Sequence, residues 1–403
     1  MEVEVPSYFL CPISLQIMRD PVTLPTGITY DRDNIERWIF SVGQKTCPAT
    51  TQPLPDCPDL TPNHTLRRLT QSWCAANAFL GVERFPTPRP PLTRLHLSSL
   101  LEQAAGDHHR RLPCLQKLSR LISDSDRNKR FVAAAAASTG ILDFLASVVS
   151  SEGEQEQDEA VSILHSLQLG DEDLHLLSDC HRHLVDSLTM IMRRSSQSRA
   201  HAIMLIKKSL LSGTQPRNLF TIPEALFGEM VKVLKDRISY QATKAAMQIL
   251  SGVCLWGKNT EKAAGAGAVE AILELLFDEA EKRVCEMALI VLDDLCRCRK
   301  GREAVARHAA GLAVVSKKMM RVTPVATKMA VRILYSIARN AAEPAVLREM
   351  VDAGVVAKLC LLMSYECGKS TREMAAEILR MHSRFWKSLP NCVPPSQLKL
   401  LNQ

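Results

Sequence analysis

The chain has 403 residues, 46% of them hydrophobic and only 5% aromatic, with a formal charge of +7. That length exceeds one ordinary core and implies two or three domains, while the aromatic-poor composition leaves Ala, Leu and Val to do the packing, as helix-on-helix folds allow. No run reaches the roughly 18 uncharged apolar residues of a membrane span, and the basic pairs Arg193-Arg194, Lys207-Lys208 and Lys317-Lys318 lack the aromatic interleaving of a nucleic-acid surface.

The acidic start Met1-Glu2-Val3-Glu4 does not read as a secretion signal. Thirteen cysteines, an odd number without framework spacing, fit a reducing compartment. Most of them, such as Cys254, Cys285 and Cys360, fall inside apolar helical patterns as small hydrophobes.

After a five-residue tail, the stretch from Pro6 to Trp73 reads as a tight loop, a hairpin, an amphipathic helix, a second tight loop and a closing helix. Cys11-Pro12-Ile13 marks the first loop and Cys47-Pro48-Ala49-Thr50 the second. Val22-Thr23-Leu24 is a strand candidate between the turn signals Asp20-Pro21 and Pro25-Thr26-Gly27. Asp31 is placed to cap the helix that follows, where Ile35, Trp38 and Ile39 share one face. Thr61-Pro62 announces the closing helix, with Leu66, Leu69 and Trp73 as its core stripe and a dimer contact as the other use of that face.

These residues resemble a U-box over about residues 6–79, a fold similar to a RING finger in which hydrogen bonds and salt bridges replace zinc. The cysteines agree with that resemblance. Cys11, Cys47, Cys57 and Cys74 form no C-x2-C pair and His64 is the only histidine of the segment, whereas a cross-braced zinc module needs about eight ligands at short paired spacings. No metal and no cofactor is therefore expected. Asp20, Thr29, Asp31, Asn34, Glu36 and Arg37 become the candidates for bracing the loops.

Residues 81–94 hold four prolines between Pro86 and Pro91, which forbid a continuous helix and predict a short stiff linker. From Leu95 a repeat is visible. The pattern Ala-x-x-x-(Leu/Ile) falls at Ala160/Leu164, Ala202/Ile206, Ala246/Leu250, Ala288/Leu292, Ala330/Leu334 and Ala375/Leu379, at steps of 42 to 45 residues. A break precedes the helices after Gly140, His183, Pro223, Gly267, Gly311 and Gly354.

One such unit cannot close its own core, so neighbours must stack. Residues 95–390 accordingly resemble armadillo repeats, with 281–298 as the clearest third helix. The acid-rich 152–159 reads as a solvated loop running into the next helix, and the basic RRSSQSR (193–199) as an ordinary basic loop with serines open to phosphorylation. The expected fold class is mainly α: a metal-free α+β U-box at 1–80, a linker at 81–94, an α-solenoid at 95–390 and a tail at 391–403.

The chain shows no complete catalytic constellation. It has no G-x-x-x-x-G-K-[ST] loop, G-x-S-x-G elbow or H-E-x-x-H pair, and apart from Lys45 near Cys47, Cys11 and Cys47 have no adjacent His or Lys to activate a thioester-forming cysteine. The resemblance to plant U-box ubiquitin ligases with armadillo repeats implies another chemistry. A conjugating enzyme charged with ubiquitin docks on Cys11, Pro12, Ile13, Trp38, Pro48 and Thr50, and a protein substrate binds the armadillo groove. A basic residue usually clamps the donor ubiquitin just after the second loop; here Thr51 and then Gln52 stand there.

Between Met1 and Gln116 the only lysine is Lys45, a composition that would limit self-modification of the module. The alternative function is a non-catalytic armadillo scaffold with a weakly active U-box. A nuclear-transport adaptor fits less well, because Trp256 and Trp386 are the only tryptophans of the repeats. The plant branch implies stress and defence signalling in the cytoplasm, with the nucleus as the other location.

Overall fold

The structure, a computed structural model, describes residues 5–55, 58–80, 82, 92–167, 184–211, 219, 222–256, 258–278, 281–340, 343–365 and 367–389. His183, the tail 391–403 and most of the linker 81–94 lie outside the described residues. The chain divides into two compact units, residues 1–144 with 166–169, and residues 145–165 with 170–403.

The first unit opens with a three-stranded antiparallel sheet in the order β2-β1-β3, made of β1 (Pro21–Thr23), β2 (Thr29–Asp31) and β3 (Thr61–Pro62). Gly27 turns the hairpin at φ +83, a left-handed conformation that glycine adopts without a Cβ clash. Helix α1 (Arg32–Glu36) runs into a π-turn over Arg37–Ser41, where the Val42 N–H donates to the Arg37 carbonyl at 2.9 Å. Ile35 and Ile39 face inward as their spacing predicts and join Cys11, Met18, Val22, Leu24, Tyr30, Cys47 and Leu54 in one core.

Two terminal signals resolve differently from expectation. Asp31 does sit at the N-cap position, but its side chain caps nothing. Its Oδ1 accepts the backbone N–H groups of Arg19 (2.9 Å) and Asp20 (2.8 Å) instead, so the carboxylate holds the approach to β1. Thr61-Pro62 does not start the closing helix. These residues form β3, an edge strand where a residue lacking an N–H is tolerated, and Asn63 caps α2 (His64–Ala76) by accepting from the Leu66 N–H at 3.0 Å.

The α2 stripe is also only partly core. Leu66 packs on the cluster and Trp73 lies 5.8 Å from the Phe9 ring, but Leu69 is 52% exposed. The unit continues with α3 (Arg94–Gly106), α4 (His108–Asp124) and α5 (Asp126–Thr139), each started by a side-chain cap from Thr93, Asp107 or Ser125. Leu97, Leu100, Leu115, Leu118, Ile122 and Val132 are buried among them.

The second unit is a succession of helices. Every alanine of the repeating pattern lies fully buried in a long helix, the last four in Tyr240–Val253, Lys282–Leu295, Pro324–Asn340 and Lys369–Met381, which pack each on the next. Small side chains at those points let the helices approach closely. Gly267 and Gly354 hold φ +88 and +70 just before apolar helices, while Gly311 is needed for space: a Cβ there would meet the Val305 carbonyl oxygen at 2.1 Å.

The acid-rich stretch runs into a helix as expected, whereas the basic stretch is tied down by ion pairs. Helix begins at Glu154 inside the acid-rich stretch. Arg194 of the basic stretch reaches Asp158 at 3.5 Å, Arg193 reaches Glu229 at 3.3 Å, and Arg199 pairs with Asp236. Ser195 caps the following helix through the Ser198 N–H at 3.0 Å. Opposite charges a repeat apart thus tie successive units, which spacing within one stretch cannot reveal.

Candidate functional site

The two proline-bearing loops are one structure used twice. In Cys11–Gln16 (CPISLQ) the Cys11 N–H donates to the Gln16 carbonyl and the Leu15 N–H to the Cys11 carbonyl, both at 2.8 Å. In Cys47–Gln52 (CPATTQ) the Cys47 N–H donates to the Gln52 carbonyl at 2.9 Å and the Thr51 N–H to the Cys47 carbonyl at 2.8 Å. Leu15 and Thr51 occupy the same left-handed conformation, at φ 56 and 57, and a single β-bridge closes each loop, Leu10 with Ile17 and Thr46 with Pro53. The C-P-x-x-x-Q duplication is visible in the sequence as a repeated hexapeptide frame.

Both cysteines lie beneath these loops with no exposed surface, and their sulfurs act as acceptors. Cys11 Sγ receives the Asp31 N–H at 3.3 Å and the Asn34 amide at 3.7 Å. Cys47 Sγ lies 3.1 Å from the Tyr30 hydroxyl and accepts from Thr26 Oγ1 at 3.4 Å. The Ala49 N–H donates to Tyr30 Oη at 3.1 Å, which leaves the phenolic hydrogen for the sulfur. Cys11 therefore belongs to the loop's foundation and offers a partner no contact.

The remaining braces converge on Asp20. Arg32 Nε lies 2.6 Å from its carboxylate and Arg67 of α2 pairs with the other oxygen. Asn34 donates to Ser14 Oγ at 3.0 Å, Thr29 meets Thr23 at 2.9 Å, and Glu36 lies 3.7 Å from Arg32. Arg37 is exposed. Sequence reasoning named the acids but missed Arg32, Arg67, Tyr30 and the sulfurs, which are recognisable only once the chain brings residues 20 and 67 together. Among the described residues no three His, Cys, Asp or Glu side chains gather as a metal site.

The sulfur environment has a pH consequence. Burial raises the Cys47 thiol, but the polar groups around it, the Thr26 and Tyr30 hydroxyls and Thr50, outweigh it and bring the thiol from its ordinary 9.0 down to about 6. The unfolded chain thus binds more protons between those values, and stability rises with pH across them. That contribution is complete above pH 9 and is lost as pH falls through 6. Chemical denaturation of the full chain is expected to show the U-box transition strengthening from pH 6 to pH 9, and Cys47→Ala to flatten that rise.

Trp38 links the helix to the second loop. Its indole Nε1–H donates to the Thr46 carbonyl at 2.8 Å, and its half-buried ring packs against the same core cluster as Ile13. Pro48 lies two residues beyond Thr46 and is half-buried, as is Thr50, while Pro12, Thr51 and Gln52 are exposed. The π-turn carries Trp38 at the point where regular helix ends, a distortion often found at functional sites.

The structure is thus a small hairpin-and-helix module braced by hydrogen-bonded sulfurs and an acid–arginine hub, followed in the chain by an α-solenoid of stacked repeats. Comparison of the sequence agrees: the U-box domain family matches residues 5–78 and the plant U-box protein ARM repeat region matches residues 96–402. The chain belongs to the plant U-box proteins with armadillo repeats, and it is a U-box E3 ubiquitin ligase.

It is 46% identical to E3 ubiquitin-protein ligase PUB23 of Arabidopsis thaliana over 98% of this chain and 97% of that protein. It is 42% identical to E3 ubiquitin-protein ligase PUB22 of the same plant at the same coverage. Identity to E3 ubiquitin-protein ligase PUB24 is 34%, over 100% of this chain and 97% of that one.

Proposed function

We propose that the chain docks a ubiquitin-charged conjugating enzyme on Pro12, Ile13, Trp38, Pro48 and Thr50, and recruits a protein substrate through its armadillo repeats for transfer to a substrate lysine. The observation that carries this reading is Trp38, a half-buried aromatic ring hydrogen-bonded into one twin loop and packed on the core beneath the other. A small apolar surface of this kind suits a weak, transient complex. A thioester relay through Cys11 or Cys47 is disfavoured, because an attacking thiolate must be reachable and these have no exposed surface.

Acceleration then has two sources: tethering raises the effective concentration of substrate, and immobilising the donor ubiquitin favours near-attack geometry. Long third helices would line the substrate groove. One seat for a substrate side chain is a cavity of about 180 Å³ lined by Tyr240, Thr243, Lys244, Met247 and Val284 among others. A second copy of the chain is a further partner, meeting Tyr8, Leu69 and Trp73 beside Phe9. A role in plant stress and defence signalling, in the cytoplasm or nucleus, rests on likeness to the plant branch of the family alone.

The clamp position bears on how active the ligase is. Thr51 is exposed and, being β-branched, ill suited to φ 57. Arginine tolerates that conformation better and supplies the missing cation. Thr51→Arg is expected to raise severalfold the discharge of ubiquitin from a charged conjugating enzyme onto free lysine. A rate that stays the same or falls removes the clamp idea.

A further inference from the structure

Helix α5, at the start of the repeat region, reaches back to the central U-box helix through Arg130. Arg130 Nη2 donates to the Phe40 carbonyl at 2.7 Å, and the same guanidinium lies over the Phe40 ring, 4.3 Å from its centroid. Phe40 is in the π-turn, whose closing carbonyls have no further helix to bond them, so a cationic donor is favoured there twice over. One turn earlier the buried Glu36 carboxyl is pushed up by burial, and the nearby charges of Arg32 and Arg127 oppose that shift.

Glu36 and Phe40 are four residues apart on one helix, and Arg127 and Arg130 three apart on the other, so each pair shares an edge. Trp38, two residues from each of its neighbours Glu36 and Phe40, projects from a different side of its helix. The contact with α5 therefore leaves the Trp38 face free.

We propose that Arg130, aided by Arg127, latches the U-box to α3–α5, so that the conjugating-enzyme surface is held in one orientation relative to the first repeat helices. An isolated exposed ion pair contributes little. Here one guanidinium serves both a ring and a carbonyl, and the charge of Arg127 acts favourably on a buried carboxyl. Arg130 is a positioning residue: it touches neither the proposed docking surface nor the reacting groups, and it acts through the helix that carries Trp38.

The test uses single-molecule energy transfer in the full chain, with dyes at non-natural residues replacing Arg68 in α2 and Glu102 in α3, both exposed. The latch predicts one narrow distance distribution. Arg130→Ala combined with Arg127→Ala is expected to lower the ratio of docked to undocked molecules about tenfold. Arg130→Lys, which keeps a cation for the ring, restores part of it. A broad distribution in the unmodified protein, or no change on substitution, overturns the proposal.

The functional arm rests on the ligase reading. Discharge onto free lysine should be unchanged in the double variant, while mass spectrometry finds its self-modification spread over more lysines. An identical lysine pattern overturns the positioning role. Failure of discharge in every variant would refute the ligase reading alone, because the distance measurement does not depend on it.

Discussion

Replacing Trp38 with alanine abolishes the self-ubiquitination ladder of the full chain in the presence of activating enzyme, conjugating enzyme and ubiquitin. A tryptophan at the centre of a small interface typically costs about 2 kcal/mol or more when truncated, some thirtyfold in affinity, and a transient complex has little to spare. Two effects combine in this variant, since the indole also holds the Thr46 carbonyl and its loss loosens the second loop. Trp38→Phe separates them by keeping an apolar ring without the hydrogen bond, and is expected to retain partial activity. Ile13→Ala approaches from the other loop and leaves the Trp38–Thr46 bond intact. A ladder undiminished in Trp38→Ala would remove the docking surface from this account.

The second large effect is on stability. Asp20→Ala should destabilise the U-box by about 2–3 kcal/mol, because truncating one member of a half-buried charge cluster leaves its partners uncompensated. The Arg32 and Arg67 side chains are only 14% and 17% exposed, and both lean on Asp20, which is itself 23% exposed. That residual exposure keeps the figure below the 3–5 kcal/mol typical of a fully buried pair. Asp20 fastens β1, α1 and α2 together in a module too small to absorb such a loss elsewhere. Asp20→Asn, which keeps the shape and one acceptor, should cost less. The measurement is the denaturant midpoint of the U-box transition in the full chain; a shift equivalent to under about 0.5 kcal/mol would show that Asp20 is not the hub.

Periodicity carried much of the architecture. The alanine steps located six buried helix-packing points because a solenoid repeats one local solution, and local spacing is what a sequence displays directly. Ile35 and Ile39 were legible for the same reason. What escaped was non-local. Asp31 and Asn63 are both good helix caps by type, and only the position of β3 decides that Asn63 caps while Asp31 serves the backbone of Arg19 and Asp20.

The loop braces show the same division. Acids were recognised as candidates, but their partners Arg32 and Arg67 are set by tertiary approach. The sulfurs of Cys11 and Cys47 looked like inert small side chains, whereas each receives two hydrogen-bond contacts. Their likeness was readable from the hexapeptides CPISLQ and CPATTQ, had the two been aligned. For Leu69, helical spacing assigned a core role that the width of the buried face does not extend to.

The most direct test of the docking claim is a methyl and indole NMR titration of the full chain with a conjugating enzyme carrying ubiquitin through a stable ester-like link. Shifts concentrated on the Ile13 δ-methyl, the Trp38 indole N–H and the amides of Ala49 and Thr50, with the Phe40 edge quiet, are the predicted result. Unperturbed Ile13 and Trp38 signals at saturating carrier, or shifts confined to the Glu36–Phe40 edge, would contradict it.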